Sequence, residues 1–348
     1  MYDLSLSVTH SLSLSMRILI IGTGSIGERH LRVFQNLGRC SDIAFCEPHQ
    51  PRRAEIASRY NIADAAAFAD LDAALASATF DGAIVATPAP SHIAIGLRLA
   101  GLGIHHLVEK PLSLTLDGVD EYARAVDKAG VLVAVGYVHR AHPAVAAIRQ
   151  QIASGRFGKL LDLTVAAGQP FATLRPAYRD VYFAQPELGG GAINDMITHF
   201  YNVGDWLAGP ISRLVTDAAH QTLAGVSVED TVHTLARHQG GTMATYAINL
   251  YQHPNECFVT AVCEGGTLRA DYARCRWSRT GEDGVWTHEA VSVPHGDEMY
   301  RIQNAAFLDA VEGRGHVLCS LEDAVRTLRV NMASHRSVAE SSWQQVLV

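Results

Sequence analysis

From Met16 onward, short runs that are apolar throughout alternate with longer stretches in which apolar residues recur every three or four positions. The runs are residues 17–21 (RILII), 43–46 (IAFC), 82–87 (GAIVAT), 105–109 (HHLVE) and 131–137 (VLVAVGY), and Ala/Leu-rich stretches of helical period separate them. A run without alternation reads as a strand covered on both faces, so the repetition predicts βαβ units and a doubly wound parallel sheet over residues 16–140. After about Ala141 the texture changes. Residues 159–168 (KLLDLTVAAG), 231–238 (TVHTLARH), 242–250 (TMATYAINL) and 257–270 (CFVTAVCEGGTLRA) alternate more and are joined by short Gly-containing turns, which are antiparallel hairpin signals. Helical period returns at 320–337. The expected fold class is therefore α/β. A doubly wound domain is followed, over 141–348, by an α+β domain with a large, mostly antiparallel open sheet, and the helix at about 320–337 is expected to pack back on the first domain.

A chain of 348 residues suits two domains, each with its own core. Its 28 Lys+Arg against 35 Asp+Glu give a formal net charge of -7, with basic residues scattered rather than clustered. That argues against a nucleic-acid surface and for a small diffusible substrate. No apolar run approaches the roughly 20 residues needed to cross a bilayer. Cysteines 40, 46, 257, 263, 275 and 319 form no CxxC pair and no Cys/His cluster at zinc-ligand spacing. No metal site is expected, and the thiols read as buried groups in a reducing, cytoplasmic compartment. Residues 1–15 (MYDLSLSVTHSLSLS) lack a basic segment and a continuous apolar core, so a secretory signal is not expected. They read as a disordered or weakly attached extension, or as lying upstream of the natural start at Met16.

Gly22-Thr-Gly24-Ser25-Ile26-Gly27 follows the first strand-like run and opens a helix, as in a Rossmann dinucleotide fingerprint. The first glycine permits a tight turn, the second lets backbone approach a pyrophosphate, and the third lets helix and strand pack closely. Glu47 ends the next strand, twenty residues after Gly27, where a carboxylate can accept hydrogen bonds from an adenosine ribose and repel a 2'-phosphate. NAD is the expected cofactor. Arg52 and Arg53 lie just beyond and keep NADP as the alternative, because either can clamp a 2'-phosphate. Thr87-Pro88-Ala89-Pro90 ends another strand-like run and is expected to border the cofactor.

Lysine occurs only at positions 110, 128 and 159. Lys110, in Glu109-Lys110-Pro111, sits at a strand end, where it is either a surface cation or a compact charge tuned by burial. A second constellation is Gly189-Gly-Gly191-Ala-Ile-Asn-Asp195-Met-Ile-Thr-His199. If a helix begins near Gly191, Asp195 and His199 are one turn apart, and the carboxylate is placed to orient an imidazole acting as general base. Arg175, Tyr178, Arg179 and Asp180 precede the glycine triplet, and Tyr246, Asn249, Tyr251 and His253 lie on a later strand and its end. These are candidate substrate contacts, with Arg179 foremost; the alternative is a polar sheet face or an oligomer contact.

Together GTGSIGERH (22–30), VATPAPSH (85–92), VEKP (108–111), GYVHRAHP (136–143) and GGGAINDMITH (189–199) resemble, in order and spacing, the glucose-fructose oxidoreductase and inositol dehydrogenase (Gfo/Idh/MocA) superfamily. The likeness covers nearly everything after Met16. It implies a two-domain NAD(P)-dependent oxidoreductase acting on a secondary hydroxyl of a sugar, cyclitol or sugar derivative. Lys110, Asp195 and His199 would be the catalytic residues, with His199 as base. Gly22, Gly24, Ser25, Ile26, Gly27, Glu47, Thr87, Pro88, His92, Glu109 and Lys110 would hold the cofactor. Tyr137, Tyr178, Arg179, Asp195 and His199 would meet the substrate. The second domain would bind substrate and pair copies into homodimers or homotetramers. One departure is Ile197, where the family often has glycine.

Two further classes stay open at this point. Some relatives use tightly bound NAD for transient oxidation and so cleave glycosides, and others bind dinucleotide and sugar without turnover. Retention of both Lys110 and His199 favours catalysis over the second, and the missing twin-arginine leader ranks the first lower.

Overall fold

In the computed structural model the described residues are 16–292 and 296–347; the extension expected at residues 1–15 lies outside them. Strands β1 (Met16–Ile21), β2 (Cys40–Cys46), β3 (Ala67–Phe68), β4 (Gly82–Val85), β5 (His105–Val108) and β6 (Val133–Val135) form a parallel sheet in the order β3-β2-β1-β4-β5-β6. Helices α1 (Ser25–Leu37), α2 (Gln50–Arg59), α3 (Leu71–Ser77), α4 (His92–Gly101) and α5 (Val119–Ala129) connect them. The unbroken apolar runs are explained by burial on both sides: Leu19, Ile21, Ala83 and Val85 enter one core, and Ile18, Ile20, Ile84 and Leu107 the other. Strand order reverses between β1 and β4, which opens a crevice at the carboxyl ends of those strands.

The turn after β1 shows why glycine is required there. Gly22 has a φ of +88°, its N–H donates to the Cys46 carbonyl at 3.0 Å, and a Cβ on Gly27 would sit 1.9 Å from the Gly22 carbonyl oxygen. Only a residue without a side chain lets α1 pack this closely on the strand it follows.

Beyond α6 (Pro143–Ala153) the chain builds the second sheet from β7 (Leu160–Pro170), β8 (Ile211–Ala219), β9 (Thr231–His238), β10 (Met243–Asn249), β11 (Tyr251–Cys263), β12 (Gly266–Asp271), β13 (Arg276–Thr280), β14 (Thr287–Ala290) and β15 (Gln344–Gln345). Their order is β14-β13-β12-β11-β7-β10-β9-β8-β15, and every pair is antiparallel except β7 with β10. Alternation matches one covered face: Val232, Thr234 and Ala236 of β9 are buried while His233 and Leu235 are exposed. The short α7 (Phe171–Leu174) follows β7, and α6, α8 (Thr198–Ala208) and a C-terminal helix pack on the sheet.

Helix α9 (Glu298–Val311) lies against α1, and α10 (Leu321–Glu340) packs on β8 and α8 and also reaches β6. A capping box at Ser320 and Asp323 starts α10. The two domains are tied by a polar joint. Arg140, almost fully buried, donates to Asn202 at 2.7 Å, to the Leu318 carbonyl at 2.9 Å and to Asp323 at 2.8 Å, while Arg326 bridges Asp323 to Asp205. All six cysteines are free thiols, five of them buried. No described helix is long and apolar enough to cross a membrane, and the described residues contain no His/Cys/Asp/Glu group able to hold a metal ion.

Candidate active site

The cofactor cradle is built from the β1–α1 turn. Gly24 is the N-cap of α1, no side chain caps the first-turn N–H groups of Ser25, Ile26 and Gly27, and a Cβ added at Gly24 would meet nothing within 4 Å. An open, uncapped helix N-terminus that backbone alone lines is suited to a pyrophosphate. At the end of β2, Glu47 accepts from Thr23 Oγ1 at 2.8 Å and from Thr23 N at 3.3 Å, which fixes the carboxylate beside the glycine turn. Arg52 is spent on Glu28, Glu55 and the Thr23 carbonyl, and Arg53 on the carbonyls of Glu47 and Pro48. Neither is left as a free clamp for a 2'-phosphate. The residues present therefore fit NAD.

Two of the expected cofactor contacts, His92 and Glu109, have their side chains hydrogen-bonded within the protein. His92 is buried, and its ring nitrogens lie 2.8 Å from the Thr87 carbonyl and 3.0 Å from the Pro111 carbonyl, so it braces the Thr87–Pro88 loop against the turn after Lys110. Glu109 is buried against His30 at 2.8 Å, and its other oxygen accepts from the Lys110 N–H at 3.1 Å; His30 in turn meets Asn304 of α9 at 3.0 Å. Both hold Lys110 and the crevice wall in place.

Lys110 leaves the end of β5 and points across the domain boundary. Its Nζ donates at 2.8 Å to both the carboxylate and the carbonyl of Asp195. Residues Ile193–Ile197 form a π-helical turn rather than the α-turn expected from the sequence, and α8 follows from Thr198. The widened turn presents two oxygens of Asp195 to one ammonium. Burial would raise the Asp195 carboxyl, but Lys110 and the Tyr182 hydroxyl, which donates to Oδ1, hold it below its ordinary value.

His199 shares the helix with Asp195 but is not oriented by it. Neither of its ring nitrogens is hydrogen-bonded to a described residue, and Nδ1 is buried. The ring is held by packing: His139 stacks on it with centroids 4.5 Å apart, and Tyr137 meets it edge-on at 5.9 Å while donating or accepting a hydrogen bond with Thr198 Oγ1 at 3.1 Å. Burial, with the charges of His139, Lys110 and Arg175, drives the His199 pKa well below 6.5. His139 is lowered to about 3, mainly by burial. At neutral pH both rings are uncharged, the form in which an imidazole has a nitrogen free to accept a proton. Ile197 is fully buried in the second-domain core, so its replacement of glycine is absorbed by packing.

Tyr178 and Arg179 do not reach this constellation. Both donate to the Ala224 carbonyl, at 2.6 and 2.7 Å, and the guanidinium stacks over the Tyr178 ring. Beyond the short helix ending at Leu174 it is Tyr182, rather than Arg179, that reaches Asp195. Tyr246 is buried in the core with its hydroxyl on His238, and Tyr251 pairs with Thr231. Sequence reasoning missed Tyr182 and His139; the latter lies inside the GYVHRAHP motif, so its nearness to the site was the available signal.

Comparison with known proteins places this geometry. A family model described as an oxidoreductase family with an NAD-binding Rossmann fold matches residues 16–137, and one described as a GFO/IDH/MocA C-terminal domain matches residues 145–269. D-apiose dehydrogenase of Paraburkholderia graminis is 26% identical over 288 residues, which are 79% of this chain and 72% of that protein. Inositol 2-dehydrogenase of Rhizobium meliloti is 23% identical over 94% of this chain and 98% of its own length. A solved structure of levoglucosan dehydrogenase in complex with NADH and levoglucosan has the same fold, with a TM-score of 0.84 at 21% identity, covering 96% of this chain and all of that one.

Proposed function

The chain belongs to the GFO/IDH/MocA oxidoreductase family, and on that premise we propose that it oxidises a secondary hydroxyl of a sugar, cyclitol or sugar derivative, with His199 as general base. The observation that carries this reading is the meeting of Lys110 from the nucleotide domain with Asp195 one helical turn before His199, beside the glycine crevice.

The backbone of Gly22, Gly24, Ser25, Ile26 and Gly27 would hold the NAD pyrophosphate and Glu47 the adenosine ribose, with Thr87 and Pro88 along the crevice and Lys110 at its reactive end. Held there, NAD would supply the hydride acceptor, nicotinamide C4, for the carbinol carbon. His199, kept neutral by burial, takes the hydroxyl proton. Lys110 places a positive charge where the oxygen becomes negative, and Asp195 fixes that ammonium through two hydrogen bonds, so little reorganisation is needed as charge develops. The Tyr182 hydroxyl donates to the same Asp195 Oδ1 that accepts from Lys110 and keeps that oxygen on the lysine.

The test is a screen of sugars, cyclitols, sugar acids and glycosides with both cofactors, following NADH and NADPH absorbance. Substrate-dependent reduction of NAD is expected; glycoside cleavage without accumulation of NADH would point instead to transient oxidation. Cofactor choice has its own prediction. Glu47→Ala removes the ribose acceptor and the charge that repels a 2'-phosphate. It is expected to raise the Kd for NAD by about tenfold, one good charged hydrogen bond, and to narrow the preference over NADP. Fluorescence titration with both nucleotides checks it.

The open face of the second sheet exposes Leu235 and Met243, each about half accessible, on neighbouring strands. We assign self-association to that face. Light scattering is expected to give a multiple of the 37.5 kDa chain mass, two or four copies. The six free thiols suit the reducing conditions of a cytoplasm, where we place the reaction.

A further inference from the structure

Along β12, Leu268 and Ala270 enter the core, so Arg269 and Asp271 stand on the opposite, open face of the sheet. Register then sets their neighbours. Arg276 of β13 lies across from Asp271 and Ser278 across from Arg269, while His288 of β14 pairs with Ser278. With Arg274 from the turn after β12 and Trp286 from the β13–β14 loop, these side chains line a cavity of about 340 Å³. None of them belongs to the Lys110–Asp195–His199 site, and β11 and β7 separate the cavity from Leu235 and Met243.

Three guanidiniums meet one carboxylate here. Asp271 is almost fully buried; its Oδ1 accepts from the Arg274 backbone N–H at 3.0 Å and its Oδ2 from Arg274 Nη1 at 3.0 Å. Arg276 Nε lies 3.5 Å from that same Oδ2, yet it is buried without a hydrogen bond to a described residue. Arg269 meets no carboxylate. Its Nε donates to Thr260 Oγ1 at 3.0 Å, and its guanidinium lies 4.9 Å from the centroid of the Trp286 ring. The remaining acids of these strands and their loop do not make up the difference. Glu289 pairs with Arg279, Glu256 accepts from Gln252, Asp283 accepts from the Val285 N–H, and Glu282 is exposed with no partner among the described residues. Three arginines less one aspartate leave the lining with a formal charge of +2, histidine counted as neutral. Like charges crowded along a concave wall focus a positive potential into the space between them.

We propose that this cavity is a second ligand site, which binds the phosphate group of a small phosphorylated metabolite. A phosphate monoester carries close to two negative charges at neutral pH and offers three acceptor oxygens. Its charge matches the surplus in the lining, and its oxygens match the planar forks of Arg269 and Arg276. Trp286 and Phe258 supply an apolar wall for the carbon portion, and the volume suits a ligand of a few carbons. The site is independent of the dehydrogenase reading of the crevice.

The experiment is calorimetric titration of NADH-saturated protein, so that the glycine cradle is already filled, with inorganic phosphate and with D-ribose 5-phosphate at low ionic strength. Malonate, a dicarboxylate of similar charge, is the control. Wild type should bind both phosphates saturably at one site per chain. R269Q and R276Q should each raise the Kd by roughly 10- to 100-fold, the loss of a charged hydrogen-bond pair, and R276K should recover part of it. Because Arg269 meets no carboxylate, the effect of R269Q cannot come from stranding Asp271. K110M should leave phosphate affinity unchanged. The proposal is overturned if phosphate does not saturate, if wild type, R269Q and R276Q bind it equally, or if malonate binds as tightly. Loss of phosphate binding in K110M would overturn it by putting the anion in the crevice. Light scattering that shows R269Q/R276Q falling to single chains with phosphate affinity intact would overturn it by assigning the arginines to a contact between copies.

Discussion

Replacing His199 by alanine is expected to slow alcohol oxidation by roughly 10²- to 10⁴-fold while leaving the Kd for NAD unchanged, because only the proton acceptor is lost. The size of the effect follows from the surroundings. No carboxylate backs the imidazole, and neither ring nitrogen is held by a described residue, so packing against His139 and Tyr137 alone sets its direction. The pH dependence carries a second signature. Burial first, then the His139 ring, Lys110 and Arg175, make the imidazolium costly and pull its pKa well below 6.5. The acid-side decline of kcat/KM is therefore expected well below pH 6.5, with a plateau through neutrality, and it should vanish in the variant. H199N, which keeps most of the volume beside His139, guards against a collapse of the stack. Unchanged turnover in both variants would assign the base elsewhere. The same burial has a stability consequence with a definite sign. His139 titrates near 3 in the fold and near 6.5 in the unfolded chain, so the unfolded chain binds more protons between those values and stability falls as pH drops below about 6.5.

Where the sequence pattern was periodic and local, it matched the structure. The runs at 17–21, 82–87 and 105–109 mark β1, β4 and β5 because strands buried on both faces are mostly apolar, with His106 of β5 tolerated by its hydrogen bonds to Ile104 and Tyr122, and the glycine turn could be read from the steric demands at Gly22 and Gly27. The two-residue β3, the edge strand β14 and its neighbour β13, with their polar and charged residues, have too few buried positions to leave a pattern. The parallel pairing of β7 with β10 was hidden for a different reason: the partners are some eighty residues apart, and hairpin signals report only neighbours. At the site, the residue types were legible and their relations were not. Spacing of four suggested that Asp195 serves His199, yet the π-turn at Ile193–Ile197 rotates the carboxylate toward Lys110. Arg179 was the foremost candidate by composition, and only the path of the chain after α7 decides that it packs on Ala224.

Lys110→Met tests the other half of the mechanism, and its effect should divide into two separable parts. The side chains of Lys110 and Asp195 are only 13% and 15% exposed, and the ammonium supplies both hydrogen bonds at 2.8 Å. Removing it leaves a carboxylate that burial pushes up and only the Tyr182 hydroxyl and the charge of Arg175 hold down. Breaking such a pair costs on the order of 3 kcal/mol, which for a chain of this size lowers Tm by roughly 4 °C. The sign with pH is fixed by the depressed carboxyl. Its stabilisation is fully present above the ordinary value of 3.8 and is lost as pH falls through the lowered value, so the Tm gap between wild type and K110M should narrow in strong acid. Adding D195N replaces the stranded carboxylate with a neutral amide, and K110M/D195N should regain most of the lost Tm. Activity should not follow. The positive charge facing the developing alkoxide is absent in both variants, and turnover should stay about 10²- to 10³-fold below wild type in each. Recovery of turnover in the double variant would mean that Lys110 only neutralises Asp195, and that the oxygen losing its proton is stabilised by another group.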